Sequence, residues 1–146
     1  MDENFSPKVR DVITYSKDEA LRLCNDFIGT EHLLLGLIKK GNGKAIEILT
    51  VFDVDFLLLR KKLEQLNPAE PTLETRANTN NLHLTRQAEK ALKTTFLEAK
   101  LYQSEAIDTA HLLLCILRNE NDPSTKLLHK YYVNYDVTKA IYKDLH

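Results

Sequence analysis

The chain repeats itself, and this repetition limits its fold more than any other feature of the sequence. Residues 5–66 align without a gap onto residues 84–145. Identical positions include the run from His32 to Leu35, which matches the run from His111 to Leu114. A repeat of this size is one supersecondary unit that buries its apolar face against the other copy. The sequence therefore predicts two similar halves packed against each other.

A polar segment separates the two copies. It contains prolines and asparagines, which stop helices, and few side chains that could be buried. We assign residues 1–66 to repeat one, residues 67–83 to the linker and residues 84–146 to repeat two. At 146 residues with 43% hydrophobic content, the chain is long enough for both repeats to form one compact domain.

Each repeat is predicted to contain four helices. The first helix follows Ser6, a favourable N-cap, with Pro7 at its first position, and Thr85 begins the equivalent helix. The second helix begins at Thr30 in one copy and at Thr109 in the other, and we expect the threonine hydroxyl to cap it. Both second helices are apolar almost all round, which places them at the centre of the domain.

The remaining helices complete the prediction. The third helices are expected over residues 44–50 and 123–130, and the fourth helices are capped by Asp55 or Asn134. No segment shows the sustained alternation that is typical of a strand. The predicted fold class is all-α, with two related four-helix repeats packed into one eight-helix domain.

Composition and charge exclude several classes of function. Lys and Arg total 20 and Asp and Glu total 21, so there is no basic surface for nucleic acid or for a membrane. No segment has the length of apolar sequence that a membrane span or a secretory signal needs, so we expect a cytoplasmic protein. The cysteines, Cys24 and Cys115, lack the CxxC spacing and are predicted to be reduced thiols.

Motifs for catalysis are weak. Gly36 and Gly41 have the glycine spacing of a phosphate-binding loop, but Asn42 and Gly43 stand where that loop needs Lys and Ser/Thr. A helix stop explains these glycines better.

Two equivalent histidines are candidates for metal binding or base catalysis. Neither His32 nor His111 has a second ligand at metal-binding spacing on its own helix, so we favour a structural role for both. We expect no metal and no cofactor. A small helical metal-binding or enzymatic bundle that uses His32, His111 and Glu31 stays open as the alternative.

Glu31 lies in the first turn of the apolar second helix and has two interpretations. A carboxylate at this place complements the positive end of the helix dipole. It could equally hold a guanidinium or ammonium group while nearby backbone N–H groups hold an anion. The sequence alone favours the first interpretation.

The first repeat resembles the N-terminal domain of ClpC-class Clp AAA+ unfoldases. The resemblance rests on DEA at residues 18–20, IGTEH at 28–32, LLLGL at 33–37 and the spacing of Gly41, Gly43 and Ala45. It extends more loosely over the second repeat.

The resemblance implies a pseudo-twofold eight-helix domain that docks adaptor proteins and protein substrates above an ATPase ring. A ClpP-type peptidase would be reached only through ATPase modules that this chain lacks. The resemblance implies no ATP hydrolysis by the chain itself, and we expect the isolated domain to be monomeric.

The resemblance also suggests ligand-binding residues. Glu31 matches the family's GTEH glutamate, which contacts the guanidinium of phosphoarginine in some relatives, and we place Thr30 and Ser6 with it. In the second repeat Ala110 stands at the glutamate position. We therefore expect a degenerate second site built from Ala110, Asp108 and Thr85.

Overall fold

The computed structural model describes residues 4–69 and 82–145, and the middle of the predicted linker lies outside these residues. The described residues form eight helices and two strands of two residues each, which confirms the all-α prediction. The strands are β1 (Phe27–Ile28) and β2 (His83–Leu84). The helices are α1 (Pro7–Arg22), α2 (Thr30–Lys40), α3 (Lys44–Val51), α4 (Phe56–Glu64), α5 (Arg86–Leu101), α6 (Thr109–Leu117), α7 (Pro123–His129) and α8 (Tyr135–Leu145).

Several helix starts follow the sequence as predicted. The Ser6 hydroxyl accepts a hydrogen bond from the Val9 N–H at 3.2 Å, and the Thr85 hydroxyl accepts one from the Ala88 N–H at the same distance. Asp55 caps α4 through its carboxylate. These caps are local interactions between neighbouring residues, so the sequence is enough to predict them.

The predicted threonine caps of α2 and α6 are wrong by one residue. The N-caps are Gly29 and Asp108, each directly before the threonine. The N–H of each cap residue donates a hydrogen bond of 2.9 Å to Nδ1 of the histidine three residues later, His32 or His111. The two histidines therefore complete the helix starts.

The threonine hydroxyls bond to the opposite repeat instead. Thr30 donates its hydroxyl hydrogen to the Ser124 hydroxyl at 2.9 Å. The Thr109 hydroxyl accepts a hydrogen bond from the Ala45 N–H at 3.0 Å. Each threonine thus ties the start of a central helix to the start of the third helix of the other repeat.

Short backbone pairings also cross between the repeats. Strands β1 and β2 are parallel, and the Thr85 N–H donates to the Ile28 carbonyl at 2.9 Å. In the same way Phe5 forms a parallel bridge with Ile107, and the Ser6 N–H donates to the Ile107 carbonyl at 2.9 Å. The segment before the first helix of each repeat therefore pairs with the segment before the second helix of the other.

Helices α2 and α6 lie at the centre of the core, as predicted. Every residue of α6 is buried, and so are the first eight residues of α2. Gly36 lets α2 approach α1 closely, because a Cβ atom there would lie 2.6 Å from the Val12 carbonyl oxygen. The equivalent position of α6 is Cys115, whose side chain keeps α5 farther away.

We predict that truncating the core of α2 destabilises the whole domain. Leu34 is 1% exposed, so Leu34→Ala should lower the free energy of unfolding by about 2–5 kcal/mol. Leu57 is 74% exposed, so Leu57→Ala should change it by less than about 0.5 kcal/mol. Urea unfolding measures both. Two separate transitions, or equal effects of the two substitutions, would contradict a single cooperative core.

Candidate functional site

A pocket of about 310 Å³ lies where the starts of α2, α5 and α7 meet, and we call it the Glu31 pocket. Helix starts present free backbone N–H groups and the positive end of the helix dipole, which favour an anion. Glu31 adds a carboxylate to this setting. Its walls include Phe27, Thr30, Glu31, Asn67, Thr85 and Asp122.

The Glu31 carboxylate folds back over the start of its own helix. Its oxygens lie where a Cβ atom at Gly29 would stand, so only glycine fits at that cap position. Glu31 is 7% exposed, and burial raises the pKa of its carboxyl above the usual range, with the charge of Asp122 acting in the same direction. A cationic ligand would offset this unfavourable burial of charge.

A chain of side-chain hydrogen bonds positions Glu31. His32 bonds through Nε2 to the Asn25 side-chain oxygen at 2.8 Å, and the Asn25 amide donates to the Asn67 carbonyl at 3.1 Å. The Asn67 amide in turn donates to Glu31 Oε2. Neither asparagine was among the predicted site residues. Only the folded chain brings Asn67, at the start of the predicted linker, to this pocket.

His32 is held in its neutral form. Nδ1 accepts the Gly29 N–H, so the ring proton is on Nε2 and is donated to Asn25. Burial lowers the pKa of His32 from its usual value near 6.5 to about 4. The histidine is therefore a structural part of the pocket wall at neutral pH.

In the second repeat a different residue supplies the carboxylate. Asp108 Oδ1 accepts the N–H groups of Ala110, at 2.8 Å, and His111, at 3.3 Å. Asp108 Oδ2 accepts the Tyr142 hydroxyl at 3.1 Å, and Lys44 Nζ lies 3.9 Å from the same oxygen. Aspartate at the cap and alanine two residues later thus replace the glycine and glutamate of the first repeat.

The structure groups the predicted site residues across the repeats. Thr85, which we had placed in the second site, lies in the wall of the Glu31 pocket with Thr30. Ser6, which we had placed with Glu31, bonds to Ile107 next to Asp108. This corrects the expected grouping, and its cause is the crossed backbone pairing described above. Binding of a ligand by any of these residues stays a prediction.

Comparison with known proteins now has a fold and a pocket to explain. Residues 4–131 match the sequence profile of the Clp repeat (R) N-terminal domain. The chain belongs to this family.

Similar proteins agree with this assignment. This Clp N-terminal domain is 33% identical over 146 residues to a Chlamydia pneumoniae protein named as a probable ATP-dependent Clp protease ATP-binding subunit, covering 99% of the chain and 17% of that protein. It is 29% identical over 136 residues to the ClpC subunit of Staphylococcus saprophyticus, covering 93% of the chain and 16% of the relative. The chain thus spans less than a fifth of the length of these relatives.

A solved structure shows the same fold. The N-terminal domain of the chaperone ClpD from Arabidopsis thaliana superposes with a TM-score of 0.69 at 16% sequence identity. The match covers 94% of this chain and 91% of that one. The pseudo-twofold eight-helix arrangement is therefore shared with a distant Clp N-terminal domain.

The alternative of a metal-binding bundle finds no support in this geometry. Both ring nitrogens of His32 and of His111 bond to protein groups. Within residues 4–69 and 82–145, no three His, Cys, Asp or Glu side chains lie close enough to hold a metal ion. Burial raises the pKa of the Cys115 thiol to about 12, which keeps it protonated. None of the described helices is long and apolar enough to cross a membrane.

We predict that His32 makes the domain sensitive to acid. A folded-state pKa below the unfolded value means that the unfolded chain takes up the proton first. This contribution to stability is present above pH 6.5 and is lost as the pH falls from about 6.5 to about 4, by roughly 1.4 kcal/mol for each pKa unit between the two states.

Thermal unfolding measured from pH 7 to pH 4 tests this dependence. His32→Gln should lower stability at pH 7 and flatten its dependence on pH, because the titrating group is gone. The exposed His83 provides the matched control, and His83→Gln should keep the wild-type slope. An unchanged slope in His32→Gln would show that other groups cause the acid sensitivity.

Proposed function

We propose that this chain is the docking domain of a ClpC-type protein-unfolding ATPase, where it receives adaptor proteins and substrates in the cytoplasm. The family assignment and the ClpC relative support this role. In this proposal the chain itself has no enzymatic activity, and contact with a ClpP-type peptidase requires ATPase modules outside it. The isolated domain is monomeric.

We further propose that the Glu31 pocket recognises phosphoarginine on marked proteins. The observation that carries the proposal is a buried carboxylate at a meeting point of helix starts. The guanidinium would pair with Glu31 and join or displace the Asn67 amide. The phosphoryl group would lie against the first N–H groups of α5, beside the Thr85 hydroxyl.

The second site is proposed to be inactive toward this ligand. The Asp108 carboxylate already has the Tyr142 hydroxyl, two backbone N–H groups and Lys44 as neighbours. The protein's own groups therefore occupy the carboxylate that a guanidinium would need.

We predict that Glu31 determines affinity for phosphoarginine. A hydrogen bond to a charged group contributes about 1.5–3 kcal/mol, so Glu31→Ala should weaken binding about tenfold to a hundredfold, and Glu31→Gln should fall between. Calorimetric titration with free phosphoarginine measures this. Asp108→Asn is the control in the other repeat and should leave the affinity unchanged. Equal affinities of wild type and Glu31→Ala would return Glu31 to a helix-dipole role.

We also predict that exchanging two residues can build a second site. The paired change Asp108→Gly and Ala110→Glu transfers the Gly29 and Glu31 arrangement into α6. Ala110→Glu alone would place two carboxylates at one helix start, and their repulsion should limit its effect. The stoichiometry of phosphoarginine should rise from one to two in the paired variant only. A folded paired variant that still binds one ligand would show that the rest of the second site has also diverged.

A further inference from the structure

A second cleft, of about 420 Å³, lies in the second repeat between α5, α6 and the start of α7. It meets the Glu31 pocket at a wall formed by Thr30, Gln87 and Asp122. We call it the Glu98 cleft, because Glu98 lies in its wall. Its volume is in the range of pockets that hold small organic ligands.

The cleft exists because the repeats differ at one packing position. In repeat one Gly36 allows α1 to touch α2, and a Cβ there would meet the Val12 carbonyl and the Ser16 hydroxyl. In repeat two the equivalent residue, Cys115, has a side chain that holds α5 away from α6 and lines the cleft. The space between the helices is thus a feature of the second repeat.

Two buried carboxylate oxygens in the cleft wall have no hydrogen-bond partner in the described structure. Glu98 is 1% exposed, and its Oε1 accepts from the Tyr135 hydroxyl at 2.8 Å and from Arg118, while Oε2 has no donor. Asp122 is 6% exposed, and its Oδ1 caps α7 while Oδ2 has no donor. Buried acceptors in native proteins are nearly always satisfied, so these two oxygens point to a missing donor.

The first repeat shows what kind of donor satisfies this glutamate. Glu19 is equivalent to Glu98, and Arg22 bonds to both of its oxygens, at 2.8 Å and 3.2 Å. The residue equivalent to Arg22 is Leu101, which has nothing to donate. Arg118 occupies one oxygen of Glu98 only. The second repeat therefore lacks one guanidinium that the first repeat contains.

We propose that the Glu98 cleft binds an alkyl guanidinium group supplied by a ligand. The guanidinium hydrogens would bond to Glu98 Oε2 and Asp122 Oδ2, and the alkyl part would lie along Ala91 and Leu97. Lys90, in the same wall, would meet a carboxylate or carbonyl oxygen at the other end of the ligand. Free arginine and an arginine side chain in a peptide share this chemistry. The proposal is independent of phosphoarginine binding at Glu31.

The test uses an internal guanidinium as a competitor. Leu101 is 58% exposed on α5, so replacing it should not disturb the fold. Leu101→Arg recreates the arrangement of Arg22 and Glu19, and its side chain should occupy Glu98 Oε2. Leu101→Gln is the matched control, with a long polar side chain but no charge. Both variants keep Glu98 and its bond to Arg118 in place.

Amide chemical shifts recorded during titration with L-arginine give the result. We expect saturable shifts around Thr94, Glu98 and Asn119 in wild type, about tenfold weaker binding in Leu101→Arg and less than about a twofold change in Leu101→Gln. Glu98→Gln should also weaken binding, while Glu19→Gln should not. No saturable shift at these residues, or equal affinities in the two Leu101 variants, would overturn the proposal.

A second titration separates the sources of the ligand. The probe is acetyl-Gly-Arg-Gly-amide, in which arginine has no free amino or carboxylate group. Binding comparable to that of L-arginine would assign the cleft to an arginine side chain of a protein, whereas binding of L-arginine alone would assign it to the free amino acid. Failure of both probes would contradict the site, and Glu31→Ala should affect neither.

Discussion

The crossed backbone bonds between the repeats are the constraint on which the other features depend. The Ser6 N–H bonds to Ile107, and the Thr85 N–H bonds to Ile28. Because each of these residues stands directly before a helix, the bonds fix where four helices start relative to one another. The bonds of Thr30 and Thr109 to the opposite repeat add a third helix start to each group. Both groups of helix starts are therefore products of the interface between the repeats, and neither repeat could form one alone.

The two groups keep one carboxylate each, although its position in the sequence has moved. In repeat one Glu31 reaches back into space that Gly29 leaves empty, and in repeat two Asp108 fills the same region from the cap position itself. A carboxylate near a helix start is favoured by the dipole and by the free N–H groups, which explains why both copies retain one. The length of the side chain decides what the carboxylate can do. Asp108 bonds to its own helix, whereas Glu31 lies in a pocket wall.

Local features of the fold could be predicted from the sequence, and features that depend on distant residues could not. Ser6 and Asp55 cap helices through bonds to residues three positions away, so the sequence pattern was sufficient. Thr30 has the same chemistry, but a partner 94 residues away takes its hydroxyl and leaves the cap to Gly29 and His32. The alignment of the repeats also suggested that each site belongs to one repeat. Only the crossed pairing shows that Thr85 lies with Glu31.

Duplication explains how one repeat can be closely packed while the other contains open space. The core needs the tight contact at Gly36 only once, so Cys115 can separate α5 from α6 in the second copy without removing the shared centre. The resulting cleft shares Asp122 with the Glu31 pocket, and the charge of Asp122 helps to raise the pKa of Glu31. A cation bound at Asp122 would offset that charge and favour ionised Glu31. Since coupling between sites is reciprocal, cations in the two sites would then favour each other's binding through Asp122, against the direct repulsion between their charges.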